Sequence, residues 1–243
     1  MKKKNIIFSV VLFTFTVSVL FILVWNGVIL LNNPSKDKYP VRGVDVSSYQ
    51  GKIDWQVLSS QNISFAFIKA TEGSTFVDSC FAYNYNEAMK TDLRIGAYHF
   101  FSFDSPGETQ ADNFMATVPI TEHMLPPVVD FEFYVDKEKN PPEAKAVRAQ
   151  LDDLLEKLET HYGLKPILYA TDKSYSLYLS GYYSDYDIWI RNVISSASLP
   201  DSREWTFWQF TDREKLQGYS GEEKYIDVNV FYGTVQDFEN YAK

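Results

Sequence analysis

The sequence has few of the residues that bind metals or form covalent cross-links. It contains one cysteine, Cys80, and three histidines, His99, His123 and His161. A single thiol can form neither an internal disulfide nor a thiolate zinc cluster, and the histidines show no metal-ligand spacing. We therefore expect no metal site and no cofactor, and we disfavour Cys80 as a nucleophile because its segment is typical of packing.

Common catalytic motifs are also missing. Neither G-x-G-x-x-G nor G-x-x-x-x-G-K occurs, so no nucleotide phosphate loop is indicated, and no G-x-S-x-G elbow marks a serine hydrolase. Positive charge is in short supply as well, since the net charge is −9. An acidic surface repels phosphate backbones, so we expect no nucleic-acid partner.

A long uncharged run follows three lysines at positions 2–4, and its most apolar part covers residues 6–25. About twenty helical residues span roughly 30 Å, the thickness of the hydrocarbon core of a bilayer. No small-x-small cleavage site follows, which favours an uncleaved signal anchor over a signal peptide whose removal would secrete the protein. The lysines then stay inside. The prediction divides the chain into an anchor at 1–31, a linker at 32–40 and an extracytoplasmic domain at 41–243.

From residue 41 onward, β-rich runs alternate with amphipathic stretches. The predicted strands are 41–46, 63–70, 94–100, 127–131, 165–170, 186–190, 205–210 and 225–230. The predicted helices are 55–61, 81–91, 108–117, 141–162 and 172–180. The helix 141–162 has an apolar face at helical spacing, with Asn140 as its cap, Pro141 in its first turn and Gly163 at its exit.

This alternation indicates parallel strands with helical crossovers. We expect an α/β fold, an irregular TIM-like (β/α) barrel with eight strands and fewer than eight helices. An open doubly wound sheet is the alternative, and the missing phosphate loop disfavours it.

In such a barrel the active site lies at the carboxyl ends of the strands. Nearly every predicted strand brings a polar or aromatic residue to that end: Asp45, Lys69, Glu72, Tyr98, His99, Asp130, Glu132, Tyr169, Trp189, Arg191, Gln209, Asp227 and Asn229. Random surface residues would be distributed over both ends. The convergence therefore predicts a functional site.

Asp130 and Glu132 form the sharpest feature. Residues i and i+2 of a strand share a face, so both carboxyl groups should enter the barrel mouth side by side. Like charges that close, directly after an apolar run, raise a pKa and keep a proton donor beside an ionised partner. Glycoside hydrolysis uses such a pair. By itself, however, an Asp-x-Glu sequence is weak support for this reaction.

Six segments, in this order, resemble glycoside hydrolase family 25, the N-acetylmuramidase lysozymes. They are GVDVSSYQGKIDW at 43–55, FIKATEG at 67–73, GAYHF at 96–100, LPPVVDFE at 125–132, FWQF at 207–210 and IDVNVF at 226–231. The resemblance extends over roughly 41–234, and it implies an irregular eight-stranded barrel. It also implies hydrolysis of the β-1,4 bond between N-acetylmuramic acid and N-acetylglucosamine in peptidoglycan.

The resemblance implies roles for individual residues. Glu132 matches the general acid of the family's D-x-E pair, and Asp130 matches its partner carboxylate. Asp45 and Asp227 match two acidic positions at the floor of the site. Five further residues match groove positions less closely: Lys69, Tyr98, Tyr169, Trp189 and Gln209. The family often has Trp-Ile-Ala-Arg-Tyr where this chain has W-I-R-N-V at 189–193, so the arginine is displaced by one residue and lies on the other face of the strand.

Several alternatives stay open at this stage. A muramidase fold can bind glycan without cutting it, and the substrate can be another N-acetylated glycan such as chitin. The spacing of the two carboxyl groups does not distinguish a retaining from an inverting reaction, nor a covalent route from one assisted by the substrate's acetamido group. An anchored enzyme of this kind could open the wall locally for remodelling or for a larger cell-envelope assembly.

Overall fold

The computed structural model describes residues 2–243, and side chains from Asn5 onward. Its strands are β1 (Arg42–Val46), β2 (Phe65–Glu72), β3 (Phe76–Val77), β4 (Arg94–Phe100), β5 (Val128–Phe131), β6 (Ile167–Thr171), β7 (Ile188–Arg191), β8 (Phe207–Glu214) and β9 (Ile226–Phe231). Its helices are α1 (Lys2–Trp25), α2 (Trp55–Ser59), α3 (Phe81–Ala88), α4 (Gly107–Thr117), α5 (Ala144–Tyr162), α6 (Asp172–Ser174) and α7 (Val235–Asn240). A 3₁₀ turn at Ser48–Gln50 and a π-helical turn at Tyr175–Leu179 complete the described elements.

The strands close into the predicted barrel. The sheet order is β1-β9-β8-β7-β6-β5-β4-β2-β3, and β1 also pairs with β2. Around the barrel, β1 pairs with β2, β2 with β4, and each strand from β4 to β8 with the next one, and all these pairs are parallel. Strand β9 closes the barrel and runs antiparallel to both β8 and β1. The expectation of parallel strands throughout is therefore wrong for the last one. No helix is described between β8 and β9, so the chain returns without the crossover that a parallel strand needs.

The interior of the barrel is filled by aromatic rings. Phe67 lies 4.7 Å from the ring centre of Trp189 and 5.3 Å from that of Phe207. A Cβ atom on Gly96 would lie 2.6 Å from the ring of Phe67, and one on Gly43 would lie 2.3 Å from the ring of Phe65. The glycines of two of the matched segments thus leave space for the large side chains on β2.

Helix α5 is the longest of the amphipathic helices and packs its predicted apolar face on the barrel. It begins at Ala144, so Asn140 and Pro141 do not form its start. Instead the carboxylate of Glu143 accepts hydrogen bonds from the backbone N–H groups of Lys145, at 2.9 Å, and Ala146, at 2.8 Å. A carboxylate at this end is also favoured by the helix dipole. The predicted exit at Gly163 is confirmed, with φ of 67°.

The lower end of the barrel is closed by α7 and the residues after it. The guanidinium group of Arg94, at the start of β4, donates to the carbonyl oxygens of Phe238 at 2.7 Å and Tyr241 at 2.9 Å. The Tyr241 hydroxyl donates to Asp187 at 2.7 Å. The chain's last turn is therefore fixed to strands near the start and the middle of the domain.

The N-terminal helix matches the predicted anchor in length and composition. Residues Asn5–Trp25 form one exposed helix that is long and apolar enough to cross a membrane. The prediction that the lysines at positions 2–4 stay inside concerns side chains that lie outside the described residues. The predicted linker is partly packed on the domain, since Tyr39 is buried against Trp205, 5.6 Å between ring centres.

Candidate active site

A cavity of about 520 Å³ opens at the carboxyl end of the barrel. Its lining includes the four predicted acidic residues together with Lys69 and Tyr98, and the remaining residues are Val46, Ser47, Tyr49, Gln50, Phe100, Asp212, Arg213, Glu223 and Tyr225. Because β9 is antiparallel, its first residues lie at the same end as the last residues of β1. Asp227 is therefore directly opposite Asp45 in the sheet register.

Asp130 and Glu132 enter this cavity from the end of β5, as their spacing predicts. Asp130 is 8% exposed, and no group in the described part of the chain bonds to its buried Oδ1 atom. Burial and the charge of Glu132 raise the pKa of Asp130 well above its usual range. Burial also raises the pKa of Glu132, although Arg191 opposes the rise. The pair therefore holds a proton to higher pH than a free carboxyl group would.

The like-charge effect predicted for the pair is found at Asp130, whose pKa is raised by burial and by the charge of Glu132. The rise at Glu132 comes mainly from burial. Asp130 is the more deeply buried of the two, and Glu132 lies nearer the solvent, where a leaving group can reach it.

Asp45 and Asp227 form the floor and are held together by buried amides. The Gln209 side-chain amide donates to both oxygens of Asp45, at 3.1 and 3.0 Å, and to Asp227 at 3.1 Å. The Asn229 amide donates to Asp45 at 2.7 Å. Burial is nevertheless the largest influence and raises the pKa of both carboxyl groups, that of Asp227 well above its usual range.

Two of the predicted groove residues lie beneath this floor rather than in the cavity wall. Trp189 is 2% exposed and its indole N–H donates to the side-chain oxygen of Asn229 at 2.8 Å. Tyr169 is also buried and its hydroxyl donates to the side-chain oxygen of Gln209 at 2.9 Å. An indole N–H can only donate, so it fixes the amide of Asn229 with its NH₂ group toward Asp45.

This arrangement changes how three of the predicted residues are understood. Tyr169, Trp189 and the buried Gln209 do not line the cavity, so the structure separates them from the two groove residues that do, Lys69 and Tyr98. Tyr169 orients the amide of Gln209 and Trp189 orients that of Asn229, and the two amides hold the floor carboxylates. Sequence position marks the end of a strand, but depth within the barrel decides whether a side chain reaches the cavity or supports it.

Lys69 and Tyr98 occupy the wall beside the acid pair. The ammonium group of Lys69 binds Glu72 at 2.9 Å and lies 4.8 Å from the ring centre of Phe100. Its positive charge opposes the pKa rise of both Asp130 and Glu132. Burial and the surrounding carboxylates raise the pKa of Tyr98 well above its usual range, so this phenol stays neutral.

Arg191 was among the residues predicted to converge at the strand ends, but the sequence did not give it a catalytic or substrate-binding role. It shares the inward face of β7 with Trp189 and pairs with Asp212 at 2.8 Å. Its charge acts on Glu132 and Asp227, and these acids in turn contribute to raising the pKa of Arg191. The i, i+2 spacing from Trp189 was the available signal. The one-residue displacement noted in the sequence places the arginine on the face that carries the site.

The cavity continues as a groove past Lys69. A second depression of about 460 Å³ shares Ser47, Tyr49, Lys69 and Phe100 with the first, and then runs along Phe76 and Tyr134. Tyr49 is 60% and Phe76 is 50% exposed. Exposed rings along a polar groove suit the apolar faces of sugars. In the described part of the chain, no cluster of three or more histidine, cysteine or acidic residues could hold a metal ion.

Comparison with known proteins agrees with this geometry. The family model described as Glycosyl hydrolases family 25 matches residues 44–219. The chain is 35% identical over 209 residues to the Escherichia coli protein YegX, covering 84% of this chain and 74% of that protein. It is 30% identical over 214 residues to Lysozyme M1 of Streptomyces globisporus, covering 82% of this chain and 70% of that protein. Its structure is similar to that of a family 25 glycosyl hydrolase from Bacillus anthracis, with a TM-score of 0.82 and 57% identity over 86% of this chain and 97% of that one.

Proposed function

The chain belongs to family 25 of the glycosyl hydrolases, and we propose that it is a muramidase that cleaves peptidoglycan at the β-1,4 bond after N-acetylmuramic acid. The observation that carries the proposal is the pair Asp130 and Glu132 in the cavity at the barrel mouth. Similarity to Lysozyme M1 supports the choice of substrate.

In this proposal Glu132 is the general acid. Burial raises its pKa, which favours the protonated form that a donor needs, and the carboxyl group faces the cavity where the leaving oxygen would lie. Asp130 faces the positive charge that develops on the sugar ring. Where its carboxyl group lines the cavity, Asp130 can accept a hydrogen bond from the substrate's acetamido N–H group, which would direct the acetamido oxygen toward the reacting carbon.

Asp45 and Asp227 support the reaction from below. Four negative or potentially negative groups around one cavity favour a cationic transition state over a neutral substrate. The amides of Gln209 and Asn229 keep the two floor carboxylates in place, so they need not reorganise during the reaction. Tyr98 and Lys69 then line the wall that contacts the sugar.

Analysis of the products tests the proposed bond specificity. Purified peptidoglycan is digested with the full-length protein, reduced with borohydride and hydrolysed, and the reduced amino sugars are counted. We expect reduced muramic acid. Reduced glucosamine in its place would identify a glucosaminidase and contradict the proposal.

Two rival functions are outcomes of a parallel measurement. Release of sugars from chitin at a rate similar to that from peptidoglycan would indicate a broader N-acetylated glycan specificity. Binding to insoluble peptidoglycan without any release would indicate a binding protein on a muramidase fold. The first result would contradict specificity for peptidoglycan, and the second would contradict the enzymatic function.

We further propose that the protein is retained in the membrane by α1, with the barrel outside. The exposed apolar helix Asn5–Trp25 and the absence of a small-x-small cleavage site in the sequence support this proposal. A muramidase held in this way would act locally, as remodelling or the assembly of a larger cell-envelope structure requires.

Fractionation tests the anchor. The protein should remain with membranes after extraction at high pH, and its intact mass should include the first 31 residues. Soluble protein that begins near Asn32 would show that the segment is a cleaved signal peptide.

A further inference from the structure

The end of α1 is bound by side chains from the end of β8 and from the loop that connects β8 to β9. The carbonyl oxygen of Trp25 accepts hydrogen bonds from the Arg213 guanidinium group at 2.9 Å and the Tyr225 hydroxyl at 3.2 Å. The carbonyl oxygen of Asn26 accepts one from the Lys215 ammonium group at 2.7 Å. The last carbonyls of a helix lack partners within it, so these donors from the catalytic domain complete the helix end.

The residues after the helix are also fitted to the domain. A Cβ atom on Gly27 would lie 2.5 Å from the carbonyl oxygen of Arg213 and 3.0 Å from the ring of Tyr225, and its φ of +62° suits glycine. Further along, the buried Asn32 side chain donates to the carbonyl oxygens of Asn192 at 3.0 Å and Ser195 at 2.9 Å. We call residues 25–32 the exit segment.

The exit segment shares a wall with the active-site cavity. Arg213 and Tyr225 line the cavity and also bind the carbonyl oxygen of Trp25. The guanidinium group of Arg213 lies 4.9 Å from the ring centre of Trp25. One layer of side chains therefore separates the end of the membrane helix from the space that holds the substrate.

We infer that the exit segment rigidly connects α1 to the catalytic domain and holds the mouth of the cavity at the outer surface of the membrane. We call this rigid connection the mount. The preferred substrate is then glycan that is tethered to the membrane by a lipid at one end. The inference rests on the proposed anchored muramidase. A free linker of nine residues would let the domain move up to about 30 Å from the bilayer. A mounted cavity instead stays at the level of Trp25, a residue type that favours the membrane interface.

The experiment compares two forms of one substrate. Full-length protein is placed in phospholipid vesicles and given the same glycan chain, either attached to those vesicles through a lipid pyrophosphate or free in solution. The double variant Gly27→Val/Asn32→Ala removes the mount, because it introduces the clash with Arg213 and deletes both Asn32 hydrogen bonds. Gly181→Val is the matched control, since Gly181 has φ of +79° and nothing within 4 Å of its Cβ position.

We expect the wild type and the Gly181→Val control to prefer the tethered glycan. The double variant should lose on the order of tenfold of that preference while it still cleaves free glycan.

Each possible result has one meaning. Cleavage of free glycan with an unchanged preference in the double variant would overturn the inference and leave the muramidase intact. Equal cleavage of the tethered and the free glycan by the wild type would also overturn the inference. No cleavage of either substrate by any protein would instead refute the proposed function, and the preference for tethered glycan with it.

Discussion

The two ends of the barrel differ in the charged groups that they bury. At the lower end, the Arg94 guanidinium group donates to two backbone carbonyls, its buried Nε–H group has no partner in the described part of the chain, and the surrounding interior is aromatic. At the mouth, Asp130 has a buried oxygen without a partner, and the pKa values of all four site carboxyl groups are raised, chiefly by burial. Raised values mean that the charged forms are less stable here than in water.

This difference separates the source of stability from the site of function. Aromatic packing at the base supplies free energy of folding, whereas the crowded carboxyl groups at the mouth lower it near neutral pH. Such a local cost is expected where a protein prepares groups for a reaction. Substitutions at the two ends should therefore affect different measurements.

The largest effect is expected from Glu132→Gln at the mouth. Glutamine keeps the shape of the side chain but cannot transfer a proton, and the loss of a general acid costs about 10²–10⁴-fold in rate. Dye release from labelled cell walls should fall by that factor. Binding to insoluble peptidoglycan should persist, and the melting temperature should stay at or above the wild-type value because a buried carboxyl group has been removed.

Glu156→Gln, an exposed substitution on α5, is the control and should leave the rate unchanged. If folded Glu132→Gln kept more than about half of the activity, on a scale where general acids contribute at least about 10²-fold, Glu132 would not be the acid.

Phe65→Ala tests the base of the barrel. The ring is fully buried and contacts Phe67, Phe207 and Phe238, so its removal leaves a cavity among them. Truncation of a buried phenylalanine costs about 3–5 kcal/mol of unfolding free energy. Denaturant unfolding should show this loss, whereas turnover measured well below the melting temperature should change little.

Phe76→Ala removes the same ring from an exposed position in the groove, and its unfolding free energy should stay within about 0.5 kcal/mol of wild type. An equal loss of stability in the two variants would contradict the assignment of stability to the aromatic interior.

The pH dependence of the melting temperature of Asp227→Asn tests whether the buried carboxyl groups at the mouth lower stability. Burial and the charge of Asp45 raise the pKa of Asp227 in the folded state. The folded protein then holds this proton more tightly than the unfolded chain, so stability present in acid is lost as the pH rises through the raised value. The melting temperature of the variant should exceed that of wild type by a margin that grows with pH, and its turnover should fall.

Asp104→Asn is the contrasting case. The hydrogen bond from Lys137 lowers the pKa of this exposed carboxyl group, so its contribution is present above its ordinary pKa and lost in acid. Its melting temperature should fall slightly below wild type at neutral pH and approach wild type in acid. If the melting temperatures of both variants differed from that of wild type in the same direction and with the same pH dependence, burial would not be the cause of the raised pKa of Asp227.

The smallest effect is expected from Arg191→Gln. The positive charge of Arg191 lowers the pKa of Glu132, so its removal should raise that pKa and move the alkaline limit of activity to higher pH by less than about one unit. The pH profile of kcat/KM measures this shift. Lys157→Gln removes the surface ion pair with Asp112 and should leave the profile in place. A shift to lower pH for Arg191→Gln would contradict the electrostatic assignment.

Much of the site followed from the position of residues along the sequence. Parallel strands bring their carboxyl ends together, so Asp45, Lys69, Tyr98 and Asp130 were predicted to meet, and they line one cavity. The alternation of strands and helices, together with the six segments that resemble family 25, was enough to predict a closed barrel with fewer than eight helices.

The remaining features depend on three-dimensional context. Trp189 and Lys69 both occur near strand ends, but only the depth of each position in the twisted barrel makes the first a support and the second a wall residue. The direction of β9 follows from the missing crossover, which the strand pattern does not reveal. At α5, the first turn begins at Ala144 because Glu143 supplies two hydrogen bonds, a stronger start than Asn140 offered.

The closure of the barrel also constrains how the protein is made. β1 can complete its pairing only with β9, and Arg94 needs the carbonyls of Phe238 and Tyr241. During synthesis the domain must therefore wait, with unpaired strand edges and an unfinished lower end, until nearly the whole chain has been made. Contacts this distant in sequence form slowly. We expect folding in the cell to depend on factors that shield the open barrel, and truncation of the last turn to cause aggregation before it affects catalysis.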